Sequence, residues 1–486
     1  MRQAMHAFGA LDTLLKGDTS LLENLKHIHF IGIGGAGMSA IAKILLELDY
    51  IVSGSDLSQT DTTAKLSQAG ARIFTGHAAE HIASADAVVI STAIPEQNPE
   101  LQAAREQGVP VFHRADLVAA VMTRQAGIAV AGAHGKTTTT SMIALMLEKA
   151  GTDPTVIIGG ELHDIGGNAK LGKGQYLVAE ADESDGSFLK YAPQVAVITN
   201  IENDHMDHYK TMDNILLAFR QFLSNVSADG VAVVCFDNAH LRELAKSVNR
   251  NCLSYAIDHE ADYMAKNIRT FGAATMYDVF YRGVLLGTVK IEVPGRHNIL
   301  NSLASLVVGL YVGHDFAVAA AGLSCFKGVK RRFQTKGRVG GIWVVDDYAH
   351  HPTEIRTTLL AARQTNPKRL ICVFQPHRYT RTAFLREEFG KAFQPADLLI
   401  LTDIYAAGEQ PIPGISGLTI QEEVERQTKQ RMTYIADPAK IARYLAEIVE
   451  EGDLVITMGA GNIYLAGEEL VEKLVSMQNL PHKIGK

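Results

Sequence analysis

The segment with the clearest chemical capacity reads Gly132-Ala-His134-Gly135-Lys136-Thr137-Thr138. It follows the apolar run Ile128–Ala131 and leads into Thr139–Lys149, whose apolar residues recur at helical spacing. A phosphate loop needs this strand-loop-helix setting. Glycines let backbone N–H groups approach phosphate oxygens, and the following helix N-terminus adds partial positive charge. In this reading Gly132, His134, Gly135 and Thr138 line the nucleotide, Lys136 neutralises its β/γ oxygens, and Thr137 offers a hydroxyl to Mg²⁺. The spacing departs from the G-x4-G-K-[ST] pattern, because Val130 stands where that pattern has glycine.

Two acidic segments follow strand-like runs: Glu180-Ala-Asp182-Glu183-Ser-Asp185 and Thr199-Asn-Ile-Glu202-Asn-Asp204-His205. In a doubly wound sheet the strand C-termini share one crevice with the phosphate loop. Carboxylates gathered there repel one another and a triphosphate unless bound Mg²⁺ offsets the charge. Near the N-terminus, Gly32-Ile-Gly34-Gly35-Ala-Gly37, with Asp56 after the next strand, fits the dinucleotide fingerprint. Alone it points to an NAD(P)-dependent oxidoreductase, a class that has no use for the downstream phosphate loop and acidic segments.

The elements that must position these groups alternate apolar strand, glycine-rich turn and amphipathic helix, which predicts parallel sheets flanked by helices. Strands are expected at His29–Ile33, Ile51–Ser53, Ala87–Ile90 and Val109–Phe112, with a helix over Gly37–Leu48. A second unit has strands at Tyr176–Glu180, Val195–Thr199 and Val231–Phe236, an antiparallel patch over Asp262–Val293 and a helix over Ile299–Val312. A third follows the basic stretch Lys327–Lys336, with strands at Ile342–Val345, Leu370–Phe374, Leu398–Leu401, Thr433–Tyr434 and Leu454–Met458. The expected fold class is α/β: an extension over 1–26, a Rossmann-like domain over 27–125, a P-loop ATPase-like domain over 126–332, and a Rossmann-like domain over 333–486.

Bulk properties agree with several domains, since 486 residues exceed one ordinary core. The net charge of -7 argues against a nucleic-acid binder. No apolar run is long enough to span a membrane, and residues 1–25 lack the pattern of a signal peptide. A cytoplasmic location is expected. The four cysteines lack metal-ligand spacing and read as reduced.

Taken together, Gly-x-His-Gly-Lys-Thr-Thr, Glu-Ala-Asp-Glu-Ser-Asp and Thr-Asn-Ile-Glu-x-Asp-His resemble the Mur ligase family. Further matches are Pro294-Gly-Arg-His297-Asn298-Ile-Leu-Asn301, Arg331-Arg332-Phe333, Asp346-Asp347-Tyr348-Ala-His350-His351-Pro-Thr-Glu354, His377-Arg378-Tyr-Thr-Arg381 and Gly459-Ala-Gly-Asn462-Ile-Tyr464. The resemblance implies ATP-driven amide formation through an acyl-phosphate, with two Mg²⁺ ions for which Mn²⁺ can substitute. It implies UDP-N-acetylmuramate as the acid and L-alanine as the amine, in a monomer or homodimer, with a peptide-recycling ligase on the same UDP-sugar as the alternative. By the same resemblance Lys136, Glu183, His205 and His350 are catalytic, and Thr137, Glu183 and His205 hold metal. His297, Asn298, Asn301, Arg332 and Asp347 join the phosphate loop around ATP, and Tyr348, His377, Arg378 and Arg381 receive the amino acid. The UDP-sugar falls to Gly32, Gly34, Gly35, Gly37, Asp56, His77, Ser91, Thr92, Ala93, Asn98, His113 and Arg114. Several family members carry a carbamylated lysine downstream of the metal-binding histidine; Leu217–Phe222 has no lysine, so no carbamylation is expected.

Overall fold

Strands and helices alternate through the computed structural model, which describes residues 20–478, and the strands form three sheets. The first contains β1 (His27–Ile31), β2 (Ile51–Asp56), β3 (Arg72–Thr75), β4 (Ala87–Ile90) and β5 (Val111–His113). Its order is β3-β2-β1-β4-β5, and every pair is parallel. The chain winds outward from β1 in one direction and then returns to build the other, so the ligand crevice falls at the C-terminal end of β1. There lies the Gly32–Gly37 loop. β1 begins and ends two residues earlier than its apolar pattern suggests, because Gly32 turns the chain with φ 77°.

The second sheet comprises β6 (Ala126–Ala131), β7 (Thr155–Leu162), β8 (Gly167–Lys170), β9 (Tyr176–Glu180), β10 (Val195–Ile198), β11 (Val231–Cys235), β12 (Cys252–Ala256), β13 (Tyr263–Phe271), β14 (Ala274–Tyr281) and β15 (Val284–Ile291). Its order is β15-β14-β13-β12-β11-β10-β6-β9-β7-β8. β6 lies between β9 and β10, parallel to both, with Val130 level with Glu180 and Val197. The phosphate loop and both acidic segments therefore leave the sheet along one rim. β13 to β15 are neighbours joined by two-residue turns, which makes them antiparallel. This is the patch expected over Asp262–Val293.

The third sheet holds β16 (Gln334–Val339), β17 (Ile342–Asp347), β18 (Arg369–Phe374), β19 (Leu398–Leu401), β20 (Met432–Tyr434) and β21 (Asp453–Met458) in the order β16-β17-β21-β18-β19-β20. All pairs are parallel except β16 with β17. Alternate residues face opposite sides: Leu370, Cys372 and Phe374 enter one core, Ile371 and Val373 the other. β3, β7, β8, β12 and β16 were not anticipated. β16 begins inside the basic stretch Lys327–Lys336, before the first strand expected of the third unit, and β8 is four residues with no apolar alternation.

The chain separates into two compact units. The first runs to Asn267 and includes Tyr277–Val289 and Leu300–Phe326, so it holds the first sheet and most of the second. The second comprises Ile268–Met276, Lys290–Ile299 and the chain from Lys327, and holds the third sheet. Within the first unit, Asn168 Nδ2 donates to Ala36 O at 2.9 Å and Lys43 Nζ to Ala169 O at 2.7 Å, tying the glycine-loop helix to β8. Of the expected extension over 1–26, residues 1–19 lie outside the described residues.

The one tryptophan, Trp343 on β17, reports on the third sheet. Phe374 is fully buried there, its ring 5.1 Å from Phe393 and 5.7 Å from Phe389. Phe374→Ala is expected to destabilise this unit by about 3–5 kcal/mol. The check is urea unfolding followed by Trp343 fluorescence; an unchanged midpoint would contradict the packing described.

Candidate active site

Backbone constraint shapes the phosphate loop first. Gly132 has φ 130°, and a Cβ there would lie 2.2 Å from Thr199 Oγ1; Gly135 has φ 84° and opens the helix Lys136–Lys149. Neither conformation suits a side chain. The loop is clasped from β10: Asn200 Oδ1 accepts from His134 N at 2.9 Å, while Thr199 Oγ1 and Asn200 Nδ2 donate to His134 O at 2.6 and 2.9 Å. His134 Nε2 stands 3.4 Å from Glu202.

Lys136 reaches back over its loop, donating to Gly132 O at 2.7 Å and Glu183 Oε1 at 2.8 Å. Burial alone would lower its pKa; Glu183, Asp182 and Glu180 more than offset this and push it up to about 12. The lysine is therefore cationic at any working pH. The motif offers Glu180 and Glu183 without separating them, and the geometry does separate them. Thr137 Oγ1 lies 3.1 and 3.0 Å from the two oxygens of Glu180, so the carboxylate beside the loop hydroxyl is Glu180 rather than Glu183. Burial raises the Glu180 pKa against the pull of Lys136. Glu183 Oε2 is buried and accepts no hydrogen bond from any described residue. His205, in a left-handed conformation at φ 55°, sits 3.5 Å from Glu183 and 3.6 Å from Asp204. Burial lowers its pKa, but these two carboxylates outweigh burial and raise it overall. Downstream, Arg220 and Gln221 are exposed.

These donors fit a divalent cation: a hydroxyl, hard carboxylate oxygens and an imidazole, at a rim where carboxylates outnumber the single lysine. Of the three residues assigned to metal, Glu183 and His205 lie together, and Thr137 has Glu180 as its neighbour.

Arg114 joins this rim to the glycine loop. Its Nη2 donates to Asp182 Oδ2 at 2.8 Å, and its Nη1 would lie 3.0 Å from a Cβ on Gly37. Beside it, His113 Nε2 is 3.4 Å from Asp185. Other residues expected in a UDP-sugar pocket have local tasks. Asp56 Oδ2 accepts from Gly34 N at 2.9 Å and braces the loop. Asn98 caps the helix Pro99–Gln107, and His113 caps the helix Arg114–Met122. Ser91, Thr92 and Ala93 form the partly exposed turn after β4.

In the second unit, the rim of the third sheet carries its own cluster. Asp347, ending β17, accepts from Phe333 N and Ala349 N, each at 2.8 Å, and burial pushes its pKa up to about 6 despite nearby Arg332. Arg331 fastens the rim by donating to Asp346 Oδ2, Gly461 O and Gly459 O. Its partner Arg332 lies 3.6 Å from Glu354 and 5.4 Å from the Tyr348 ring centroid. His350 Nδ1 is 3.0 Å from Tyr348 O, and its ring is 5.7 Å from that of His377. Arg381 Nη1 approaches His377 Nδ1 at 3.2 Å, and Tyr405, not anticipated, stacks on His377. Arg378 opens the helix Tyr379–Phe384 with φ 72°. His297 and Asn298 begin the helix Arg296–Tyr311, whose Asn301 lies against Gly135.

A phosphate loop facing acidic strand ends is the arrangement of an α/β enzyme that moves a phosphoryl group from a nucleotide. Comparison with known proteins narrows that class. Three family descriptions match in order: Mur ligase family, catalytic domain, over residues 27–126; Mur ligase middle domain over 130–309; and Mur ligase, glutamate ligase domain over 331–461. The UDP-N-acetylmuramate–L-alanine ligase of Pelotomaculum thermopropionicum is 55% identical over 94% of this chain and 100% of its own length. That of Geotalea uraniireducens is 52% identical over 93% and 98%. The crystal structure of UDP-N-acetylmuramate-alanine ligase from Thermotoga maritima superposes with TM-score 0.79 at 30% identity, covering 93% of this chain and 99% of that one. A murein peptide ligase from Psychrobacter arcticus gives 0.69 at 26% identity over 92% and 98%. The chain belongs to the Mur ligase family.

The buried imidazoles of the second unit set a pH response. Burial, reinforced by neighbouring arginines, lowers His297 and His350 from 6.5 to about 4, and His377 to about 3. With folded pKa values below unfolded ones, protonation favours the unfolded chain. The stability they contribute is present above pH 6.5 and is lost as pH falls toward about 4. Asp347 acts oppositely: its contribution is full below 3.8 and lost as pH rises through about 6. Three groups outweigh one, so the urea midpoint read by Trp343 is expected to fall between about pH 7 and about pH 5. His350→Gln should shrink the fall, and a rising midpoint would contradict this charge assignment.

Proposed function

We propose that this chain is the ligase that joins L-alanine to the carboxylate of UDP-N-acetylmuramate, consuming ATP and releasing ADP and phosphate. The single observation that carries the chemistry is the rim where Lys136, Thr137, Glu180, Glu183 and His205 converge at strand ends of one sheet. The substrates are inferred from relatives at 55% and 52% identity along nearly the whole chain.

In this reading residues 27–125 bind the UDP-sugar, 126–332 bind ATP, and 333–486 bind the amino acid. The reaction must bring two anions together, the muramyl carboxylate and the γ-phosphoryl group. Lys136 and the backbone N–H groups of the loop hold the triphosphate and lower that repulsion. Mg²⁺ held by Thr137, Glu180, Glu183 and His205 would supply the remaining positive charge. Arg114, over the glycine loop, holds the UDP-sugar end so that its carboxylate meets the phosphoryl group; such fixed positioning supplies up to roughly 7–11 kcal/mol of barrier reduction. The carboxylate oxygen attacks the γ-phosphorus, giving the acyl-phosphate and ADP. The alanine amine then attacks the acyl carbon, and phosphate leaves. Arg378 and Arg381 suit the amino acid's carboxylate, since a guanidinium fork matches carboxylate geometry. His350 keeps its Nδ1 proton on Tyr348 O, which leaves Nε2 to accept a hydrogen bond from the amine. Among the described residues no helix is long and apolar enough to cross a membrane, and we place the activity in the cytoplasm.

Phosphate release from ATP is expected only when UDP-N-acetylmuramate and L-alanine are both present. Stimulation by the tripeptide in place of L-alanine would favour a recycling ligase, the activity named for other relatives of this fold. Lys136→Ala is expected to cut turnover by roughly 100-fold or more while leaving UDP-sugar binding intact; ligation at the wild-type rate would overturn the loop assignment. Arg381→Ala should raise KM for L-alanine roughly 10- to 100-fold with little change for ATP. Equal shifts for both substrates would count against the amino-acid pocket.

A further inference from the structure

Beside the strand end that holds the glycine loop lies a cluster built on Glu100, a residue to which the proposed reaction gives no part. Glu100, the second residue of the helix Pro99–Gln107, is fully buried, although a carboxylate so placed needs partners. Four side chains from other elements converge on it. Ser55 Oγ, near the end of β2, donates to Oε2 at 2.5 Å. His77 Nδ1, just beyond β3, lies 3.1 Å from Oε2, and His81 Nδ1 lies 2.6 Å from Oε1. His29 Nε2, on β1, stands 3.7 Å from Oε1. The cluster is wired to the loop, because Ser55 O accepts from both Gly32 N and Ile33 N, at 2.8 and 3.0 Å.

Resting on the UDP-sugar reading of this domain, we propose that Glu100 is a positioning residue that fixes the His77 tautomer, presenting Nε2 as an acceptor for an N–H or O–H donor of the nucleoside. An ionised carboxylate only accepts hydrogen bonds. His77 and His81, which face it through Nδ1, therefore carry hydrogens there, and a neutral His77 ring is left with a lone pair on Nε2. Burial would raise the Glu100 pKa, but His29, Ser55 and His81 outweigh it and hold it down at about 2. His77 stays 16% exposed, and no described residue bonds its Nε2.

Location supports a nucleoside partner. In a doubly wound sheet with the diphosphate at the β1 turn, the acidic residue ending β2 takes the ribose hydroxyls. Here that residue, Asp56, spends Oδ2 on Gly34 N and Oδ1 on Leu57 N. His77 stands just beyond the neighbouring strand, tied to the end of β2 by Gly76 N, which donates to Asp56 O at 2.8 Å. His81 is pinned separately, stacked 4.1 Å from Phe74. The hydrogen-bond network thus orients one histidine and leaves its far nitrogen available.

The test uses the full-length enzyme, UDP as probe and calorimetry without ATP. Glu100→Gln can donate an amide hydrogen to His77 Nδ1 and so move the ring hydrogen to Nε2. Binding of UDP should weaken roughly 10- to 100-fold, with kcat at saturating UDP-N-acetylmuramate and KM for ATP unchanged. Nitrogen-15 NMR of histidine-labelled wild-type enzyme should show His77 with its hydrogen on Nδ1, and the variant should lose that signature while its melting temperature stays near wild type. Wild-type tautomer with hydrogen on Nε2, or UDP binding unaffected in Glu100→Gln, would overturn the proposal. If the wild-type enzyme does not bind UDP at all, the domain assignment fails instead, which the calorimetry of the unmodified protein reads directly.

Discussion

An excess of negative charge at the rim of the second sheet governs how this enzyme is built. Glu180 ends β9, Asp182, Glu183 and Asp185 follow it, and Glu202 and Asp204 follow β10, while Lys136 feels the charge of Glu180, Asp182 and Glu183. Left alone, such a rim would repel itself and a triphosphate. The neutralising partners therefore come from elsewhere: Lys136 from the phosphate loop, Arg114 from the first domain, and His205 at the end of β10's loop. Because Arg114 pairs with Asp182 while lying over Gly37, the glycine loop after β1 and the acidic rim beside the phosphate loop share one charge network. A divalent cation bound at the rim would offset the same excess and let further anions enter.

Parallel sheets make that crowding possible. Register aligns Val130 with Glu180 and Val197, so three loops emerge side by side. The third sheet repeats the device, with Asp347 and Phe374 both level with Met458. Its rim has the opposite electrostatic character. Three histidines of this unit are kept neutral by burial and by arginines.

Much of this was legible in the residues. The phosphate loop is local: its glycines, lysine and threonines are consecutive, and the strand-to-helix change around them shows in apolar spacing. The motifs of the third domain are equally compact. What escaped was decided by packing between distant segments. Glu180 and Glu183 are three apart in one motif, and only the position of the helix Lys136–Lys149 gives Thr137 to the first and Lys136 to the second. Asn98 and His113 carry residue types suited to a pocket, yet each sits one residue before a helix and caps it. The Glu100 cluster draws on two strands, a loop and two helical turns, a convergence no spacing reveals. β8 and β16 lack the apolar alternation that marks a strand, because each is an antiparallel edge held by a neighbour.

The proposed reaction turns on a carboxylate oxygen of the UDP-sugar attacking ATP at the γ-phosphorus beside Lys136. The direct test is turnover with UDP-N-acetylmuramate labelled with oxygen-18 in its carboxylate, followed by mass analysis of the phosphate released. Passage through an acyl-phosphate predicts one labelled oxygen transferred to each inorganic phosphate. Unlabelled phosphate, or label found in AMP, would contradict the account.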